Sequence, residues 1–206
     1  MNRRFSDATL HLPDGTDVVV RKLTRELARE FQSSIVRIHN TIPFQNWSGD
    51  ELLAEDFEGR IFHSKWALSH IAFLGSEVVA VNIAYERPAE GNPYLDDSIY
   101  MHRFAVAPTV RRRWLGRLFH AHAMDLAFTY VPLVVTRPIN VLYGQTQATL
   151  ENAHVLRFYT EGCGFVPVGF KYYSEKVDVV LRVERERFYN SNHWQALQGR
   201  REISRK

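Results

Sequence analysis

The chain has 206 residues, of which 45% are apolar and 24% are charged, and its formal net charge is +3. This composition excludes a wholly disordered chain, and so modest a positive charge does not by itself indicate a nucleic-acid binder. No apolar run approaches the roughly 18 residues of a membrane-spanning helix. A single cysteine, Cys163, fits a reducing compartment, and the first 15 residues lack the apolar run of a signal peptide. The sequence therefore predicts a soluble, cytoplasmic protein.

The first third of the chain predicts a strand followed by two helices. The run DVVVR at 17–21 has the β-branched character of a short strand. Thr24 is a helix N-cap residue, and the apolar residues after it recur at helical spacing. A second, weaker helix is expected over 48–57, with Ser48 or Asp50 as its cap.

The middle of the chain predicts three strands. Two apolar runs, 66–73 and 78–85, flank a turn that contains Gly75, which is the pattern of a hairpin. A loop with proline and glycine follows at 88–93, and residues 99–106 alternate in character as a third strand does. These strands are expected to form the antiparallel part of a sheet.

The second half of the chain alternates helices and strands. Pro108 ends the third strand because it cannot donate a ladder hydrogen bond. The elements expected after it are a helix over 112–130, a strand over 141–146, a helix over 152–161 closed by Gly162 or Gly164, and strands over 165–172 and 177–183.

This order of elements predicts an α/β (α+β) fold. We expect one mixed, mostly antiparallel sheet of about seven strands, with helices on both faces, in a single domain over 1–183. Residues 184–206 carry clustered arginines and are expected to form a basic tail or a terminal helix. Aromatic residues in that segment leave a homodimer open.

The segment RFAVAPTVRRRWLGRL, residues 103–118, has the pattern of an anion-binding site. A strand ends in it, a short turn follows, and a long helix begins with several arginines. The first amides of a helix lack internal partners and the helix dipole adds positive charge, so such a terminus attracts phosphate. The arginines can add charge-assisted hydrogen bonds. The segment therefore predicts a phosphate-binding cradle.

This segment resembles the signature V-x-P-x-x-R-x-x-G-x-G of the GNAT acetyltransferases. Val106, Pro108, Arg111 and Gly116 match it, and Trp114 stands in place of the first glycine. The resemblance implies that acetyl-coenzyme A binds here as a co-substrate. Its pantetheine arm is expected at Phe104, Ala105 and Val106, and its pyrophosphate at Arg111, Arg112, Arg113, Trp114, Leu115, Gly116 and Arg117. Trp114 still supplies an amide, but its indole must point away from the phosphates or stack on another group.

A second segment strengthens the resemblance. Asn152, Phe158 and Tyr159 precede Gly164–Phe165, which resembles a later GNAT motif in which an asparagine begins a helix and a tyrosine follows seven residues on. The resemblance implies that Tyr159 protonates the departing thiolate of coenzyme A and that Asn152 and Phe158 lie near the cofactor. A phenol stays protonated at neutral pH and suits this role. The chain has one residue more than the family before the Gly-Phe pair, which predicts a wider helix exit near Gly162.

The sequence offers no clear base for an incoming amine. His102 is the best candidate within 99–106, because an unperturbed imidazole titrates near ~6.5. Asp97, at the start of that strand, is the alternative, and some members of the family need no dedicated base. No metal site is predicted.

The resemblance implies an N-acetyltransferase in which an amine attacks acetyl-coenzyme A directly, in a ternary complex. The acceptor stays open between an amino sugar, an antibiotic-like amine, a polyamine, an amino acid and a protein amine. Residues 144–147 and 170–173 are faintly similar to acetyltransferases of nucleotide-linked amino sugars. The alternatives are a catalytically inactive coenzyme-A-binding sensor or scaffold and a transferase of a longer acyl chain. Nucleic acid is disfavoured as a partner because the strands lack interleaved basic and aromatic residues, and no membrane contact is expected.

Overall fold

The computed structural model describes residues 7–42, 47–53, 56–57, 60–61, 64–87, 98–132 and 138–203. Its strands are β1 (Ala8–His11), β2 (Asp17–Lys22), β3 (Asp56–Phe57), β4 (Arg60–Ile61), β5 (His70–Leu74), β6 (Glu77–Arg87), β7 (Ser98–Val106), β8 (Val141–Gln147), β9 (Val166–Tyr172), β10 (Val177–Glu184) and β11 (Arg201–Ile203). Its helices are α1 (Arg25–Glu30), α2 (Gln32–His39), α3 (Gly49–Leu53), α4 (Lys65–Leu68), α5 (Leu115–Thr129), α6 (Ala153–Arg157), α7 (Arg185–Tyr189) and α8 (Asn192–Gln198).

The strands form one mixed sheet of nine members in the order β11-β1-β2-β5-β6-β7-β8-β10-β9, beside a separate β3–β4 pair. Neighbours are antiparallel except β7 and β8, which run parallel. The predicted mixed, mostly antiparallel sheet with helices is confirmed. It has nine strands rather than about seven because β1 and β11 add to the edge beside β2.

Several predicted elements are confirmed in place, and two have different bounds. The side chain of Thr24 accepts a hydrogen bond from the amide of Leu27 at 3.2 Å, so it caps α1 as expected. The predicted strand over 66–73 begins only at His70, because the residues before it form α4. The predicted helix over 48–57 is shorter, since α3 ends at Leu53.

Packing of α5 supplies much of the core. This helix contacts β6, β7 and β8, while α2 contacts β6 and β7. Leu118, Phe119 and Phe128 of α5 are fully buried. Burying a side chain of this size contributes roughly 2 kcal/mol each, so the helix holds the central strands in register beneath it.

Residues 185–203 fold against this core. Strand β11 pairs antiparallel with β1. Arg201 of β11 forms an ion pair at 2.7 Å with Asp125 of α5, and both side chains are only 13% exposed. The hydroxyl of Tyr189 donates to the same carboxylate at 2.9 Å. The described residues contain no helix long and apolar enough to cross a membrane.

Candidate active site

A cleft opens where the parallel strands β7 and β8 separate. Their pairing ends with Met101 opposite Gly144. Both strands continue beyond this point, β7 to Val106 and β8 to Gln147, without pairing to each other. The opening belongs to a cleft of roughly 1250 Å³. Backbone groups along the facing edges are therefore available to an extended ligand, which can bond them as an added strand would.

A β-bulge explains why the strands separate. Ile83 lies opposite Arg103 and Ala84 lies opposite Met101, so His102 is an extra residue in β7. A bulge bends its strand and increases the local twist. The bend turns the end of β7 away from β8 and creates the cleft.

The turn between β7 and α5 contains two residues in the left-handed region. Arg112 has φ of 65° and Trp114 has φ of 70°. As a result α5 begins at Leu115 and not at Arg112 as the sequence predicted. A left-handed residue other than glycine costs roughly 1 kcal/mol, which is a physical reason for the glycine that the signature has at the Trp114 position. The indole of Trp114 lies 4.8 Å from the guanidinium of Arg117, so it stacks on another group as expected.

The first turn of α5 faces the cleft. Hydrogen bonding of this helix starts with the amide of Arg117, which donates to the carbonyl of Trp114 at 3.0 Å. Gly116 lines the cleft, and a Cβ added there would lie 3.7 Å from Val106 and 3.9 Å from Phe104. The helix terminus, its dipole and the end of β7 therefore meet at one point, as an anion site requires.

The clustered arginines divide into two groups. Arg111, Arg112 and Arg117 line the cleft. Arg113 instead forms an ion pair with Asp14 at 2.6 Å, and this guanidinium lowers the pKa of the Asp14 carboxyl to about 2. Arg111 donates to the carbonyl of Val106 at 3.1 Å.

Some predicted cofactor residues therefore turn their side chains elsewhere. Arg113 points to the β1–β2 turn, and the side chain of Leu115 is fully buried in the core. Only the backbone amides of these two residues remain to serve the predicted role. The carbonyl of Val106 is already engaged by Arg111, which also donates to the hydroxyl of Thr41 at 2.7 Å.

A π-helical turn over Phe158–Gly162 follows α6 and places Tyr159 in the cleft wall. A π turn is wider than an α turn and takes in one extra residue, which agrees with the wider helix exit predicted near Gly162. Gly164 closes the segment with φ of +80°, and the amide of Phe165 donates to the carbonyl of Tyr159 at 3.1 Å. This is the bonding of a glycine C-cap, so Gly164 rather than Gly162 ends the helix.

The Tyr159 phenol is packed among other rings. His120, Phe158 and Phe165 have their ring centroids 5.4 to 5.5 Å from it. Burial, with a smaller effect of Cys163, raises the pKa of Tyr159 above its ordinary value. The phenol therefore carries its proton at neutral pH and has it to donate.

Asn152 and Phe158 also line the cleft, by different contacts. Asn152 precedes α6 but makes no capping bond, and its side-chain amide donates to Gln147 of β8 at 3.4 Å. The ring of Phe158 stacks on Phe104 with centroids 5.9 Å apart. The two sequence motifs are thus in direct contact across the cleft.

His102 lies in the cleft but is a weak proton acceptor. Its ring contacts Tyr85 and Tyr100 with centroids 5.4 and 5.6 Å away. Burial, assisted by the positive charges of Arg103 and Lys65, holds the pKa of His102 well below its ordinary value. The alternative base, Asp97, lies outside the described residues. Among the residues that are described, no group of three or more His, Cys, Asp or Glu side chains is arranged to hold a metal ion.

Comparison with known proteins identifies the architecture. No family model matches the chain, and neither does any curated protein. Solved structures do match it. The GNAT domain of S. lividans PAT is 18% identical, with 86% of this chain and 96% of that domain covered and a TM-score of 0.58. This chain has the GNAT acetyltransferase fold.

Two further solved structures are similar to this chain over most of its length. The ribosomal-protein-S18-alanine N-acetyltransferase of Escherichia coli is 16% identical, with 81% of this chain and 93% of that chain covered and a TM-score of 0.58. A chain of the NatC complex bound to Gag peptide and CoA is 18% identical, with 81% and 98% covered and a TM-score of 0.58.

The C-terminal segment adds a wall to the cleft of this GNAT fold that sequence reasoning missed. His193 of α8 lines the cleft, packs on Phe158 at 4.7 Å and has its Nδ1 3.0 Å from the Sγ of Cys163. His120 of α5 reaches the same sulfur at 3.4 Å. No local pattern marks these three residues, because they are brought together only by the packing of α8 on α5.

Gly162 is required by this packing. A Cβ at Gly162 would lie 2.2 Å from the Nε2 of His193, and the bond to Cys163 holds that ring in place. We expect Gly162→Ala to lower the free energy of unfolding by about 2 kcal/mol, measured by urea denaturation. Gly199→Ala is the matched control, because nothing lies within 4 Å of a Cβ there. Equal stability of the two variants would show that the His193 ring is free to move.

Proposed function

We propose that this chain is an acetyl-coenzyme-A-dependent N-acetyltransferase, with the amine and the thioester bound together in a ternary complex. The observation that carries the proposal is the cleft itself. It runs from the separated ends of β7 and β8 to the first turn of α5, and Tyr159 stands in its wall. The GNAT fold, shared with solved acetyltransferases, supports the same conclusion.

The donor would lie along this cleft. Its pyrophosphate fits the amides at the start of α5, between the side chains of Arg112 and Arg117. Its pantetheine arm fits the free edge of β7 at 104–106. The solved NatC complex, which contains a chain of this fold and is bound to CoA, supports coenzyme A as the ligand.

The chemistry is the transfer of one acetyl group. The neutral amine attacks the thioester carbonyl, an N–C bond forms and the C–S bond breaks. Strand-end amides of β7 can polarise the carbonyl oxygen. The departing thiolate takes the proton of Tyr159, whose pKa burial keeps high.

Calorimetric titration with acetyl-coenzyme A tests the donor, with free coenzyme A and a longer acyl-coenzyme A as comparisons. We expect micromolar binding of the acetyl form and thiol release when a suitable amine is added. Tighter binding of the longer donor would make the chain a transferase of that acyl group. Absence of binding by all three would overturn the proposal.

Gly116→Glu should weaken acetyl-coenzyme A binding at least about tenfold, or about 1.4 kcal/mol, because a carboxylate would crowd and repel the pyrophosphate. Gly116→Ala is the matched control, since its Cβ would make only ordinary contacts of 3.7 to 4.0 Å. Calorimetry measures both variants. Unchanged affinity in the glutamate variant would move the phosphate site elsewhere.

A further inference from the structure

The cleft contains a second region that the donor does not explain. It lies beside three tyrosines, Tyr85, Tyr100 and Tyr143, which cluster with Val141 and Val180 on the sheet. Two of the tyrosines, Tyr85 and Tyr100, line the cleft, and their rings contact each other at 5.5 Å. Two buried charges of opposite sign, Asp178 and Arg87, line the same cleft.

Asp178 has an oxygen without a partner. It is 5% exposed and lies on β10 opposite Gln147 of β8. Its Oδ2 accepts from the ammonium of Lys176 at 3.2 Å, whereas its Oδ1 is buried and makes no hydrogen bond among the described residues. Leaving a carboxylate oxygen buried and unpaired is costly. A ligand that donates to Oδ1 would remove that cost.

Asp178 is also distinct from the other acidic groups of the cleft. The described carboxylates that line it are Glu151, Glu161 and Asp178. The first two are exposed to water and lie in or beside the α6 segment, near the donor half of the cleft. Of these three carboxylates, only that of Asp178 is buried.

The positive charge that complements Asp178 is the guanidinium of Arg87. It ends β6, is 7% exposed, and its guanidinium lies 5.0 Å from the ring of Tyr100. No acidic side chain of the described residues pairs with it. A buried guanidinium is a strong ligand for carboxylate or phosphate.

The distance between these charges restricts the ligand. Strands β7 and β8 lie between β6 and β10, which puts roughly 14 Å between the backbones of β6 and β10 across the sheet. Arg87 lies opposite Ser98 at the start of β7, whereas Asp178 lies opposite Gln147 at the end of β8, so the two residues are also separated along the strands. The two charges of the ligand must therefore lie farther apart than those of an α-amino acid.

We propose that this region binds the acceptor, and that the acceptor is a primary amine carrying a carboxylate or phosphate at its far end. Asp178 holds the ammonium and takes its proton, and Arg87 binds the anion. The inference rests on the proposed function and names the class of its substrate. It also supplies the proton acceptor that β7 lacks.

The proton balance closes with this assignment. The bound ammonium gives one proton to Asp178, and the neutral amine attacks the thioester. The tetrahedral intermediate loses one of its two N–H protons to water as the C–S bond breaks, and the thiolate takes the proton of Tyr159. Asp178 then releases its proton to water and the Tyr159 phenolate takes one from water, which restores both groups. Lys176 donates to the carboxylate of Asp178 at 3.2 Å, and Lys171 lies opposite Asp178 in the pairing of β9 with β10.

The test compares thiol release from acetyl-coenzyme A with paired amines. Glucosamine 6-phosphate is paired with glucosamine, 6-aminohexanoate with hexylamine, and a nucleoside-diphosphate-linked amino sugar is added; glycine and spermidine complete the set. We expect the extended amines that carry an anion to be preferred. Comparing the phosphate-bearing amine with the carboxylate-bearing amine shows which anion the site binds. Preference for spermidine, glucosamine or hexylamine would overturn the inference, as would the absence of release with every amine.

Variants at two positions test the roles proposed for Asp178 and Arg87. Asp178→Asn should lower the turnover number roughly 100-fold or more and leave acetyl-coenzyme A affinity unchanged, whereas Asp178→Glu should recover part of it. Arg87→Gln should raise the KM of the anionic amines about tenfold and leave the neutral ones unaffected. Glu175→Gln and Arg29→Gln, at exposed positions, are the matched controls.

Measuring acetyl-coenzyme A binding distinguishes failure of the proposed function from failure of the acceptor assignment. Calorimetry on the unaltered chain tests the proposed function alone. If acetyl-coenzyme A binds and Asp178→Asn turns over normally with a thermal melting point equal to that of the parent, the acceptor assignment falls while the transferase stands. If acetyl-coenzyme A does not bind, the proposed function falls first.

Discussion

Replacing Tyr159 by phenylalanine should lower the turnover number roughly 100-fold or more and leave acetyl-coenzyme A binding almost unchanged. The change removes only the hydroxyl, and the ring keeps its contacts with His120, Phe158 and Phe165. The thiolate would then depart without a proton donor in the cleft wall. Steady-state thiol release and calorimetry measure the two effects separately.

The matched control is Tyr172→Phe, since that tyrosine is 75% exposed on β9. Because burial raises the pKa of Tyr159 above its ordinary value, the activity of the parent chain should not decline on the alkaline side below pH ~9 from loss of this proton. Equal turnover of Tyr159→Phe and Tyr172→Phe would remove Tyr159 from the mechanism.

Acid should unfold this protein well above the pH at which carboxylates titrate. Burial is the main cause that lowers the pKa of several histidines below the ordinary value of 6.5. The residues are His39, His70 and His193, each at about 4, His120 at about 3, and His102 and His122, both well below their ordinary value. The unfolded chain therefore binds more protons than the folded one between about pH 4 and 6.5. Stability is complete above pH 6.5 and falls as the pH drops through this window.

The expected loss is large. Each buried histidine costs about 1.4 kcal/mol per pH unit inside the window, and six of them together cost roughly 8 kcal/mol at pH 5.5, which is comparable with the whole stability of a domain. Urea denaturation at pH 7.5 and 5.5 measures the difference. His70→Leu should remove about one proton from the pH dependence. A free energy of unfolding that is constant between the two pH values would contradict the prediction.

Features encoded by neighbouring residues were predictable from the chain. Thr24 caps α1 because its hydroxyl needs only an amide three residues away. The hairpin around Gly75 follows from two apolar runs and a turn that requires φ of +59°. The second motif depends on the spacing of Asn152 and Tyr159, and the extra residue after it corresponds to the π-helical turn. Such features can be predicted from a sequence because the interactions that produce them act between residues only a few positions apart.

Other features depend on contacts between distant segments. The late start of α5 follows from left-handed Arg112 and Trp114, whose conformations the surrounding turn imposes against local preference. The opening between β7 and β8 depends on a bulge at His102 that exists only in register with β6. Asp178 and Arg87 have no motif, and 91 positions of sequence separate them. They face one cleft because the sheet places β10 and β6 on either side of β7 and β8. Local patterns thus predicted the fold class and the residues proposed to bind the donor, whereas the region proposed for the acceptor depends on long-range strand pairing, which no short pattern records.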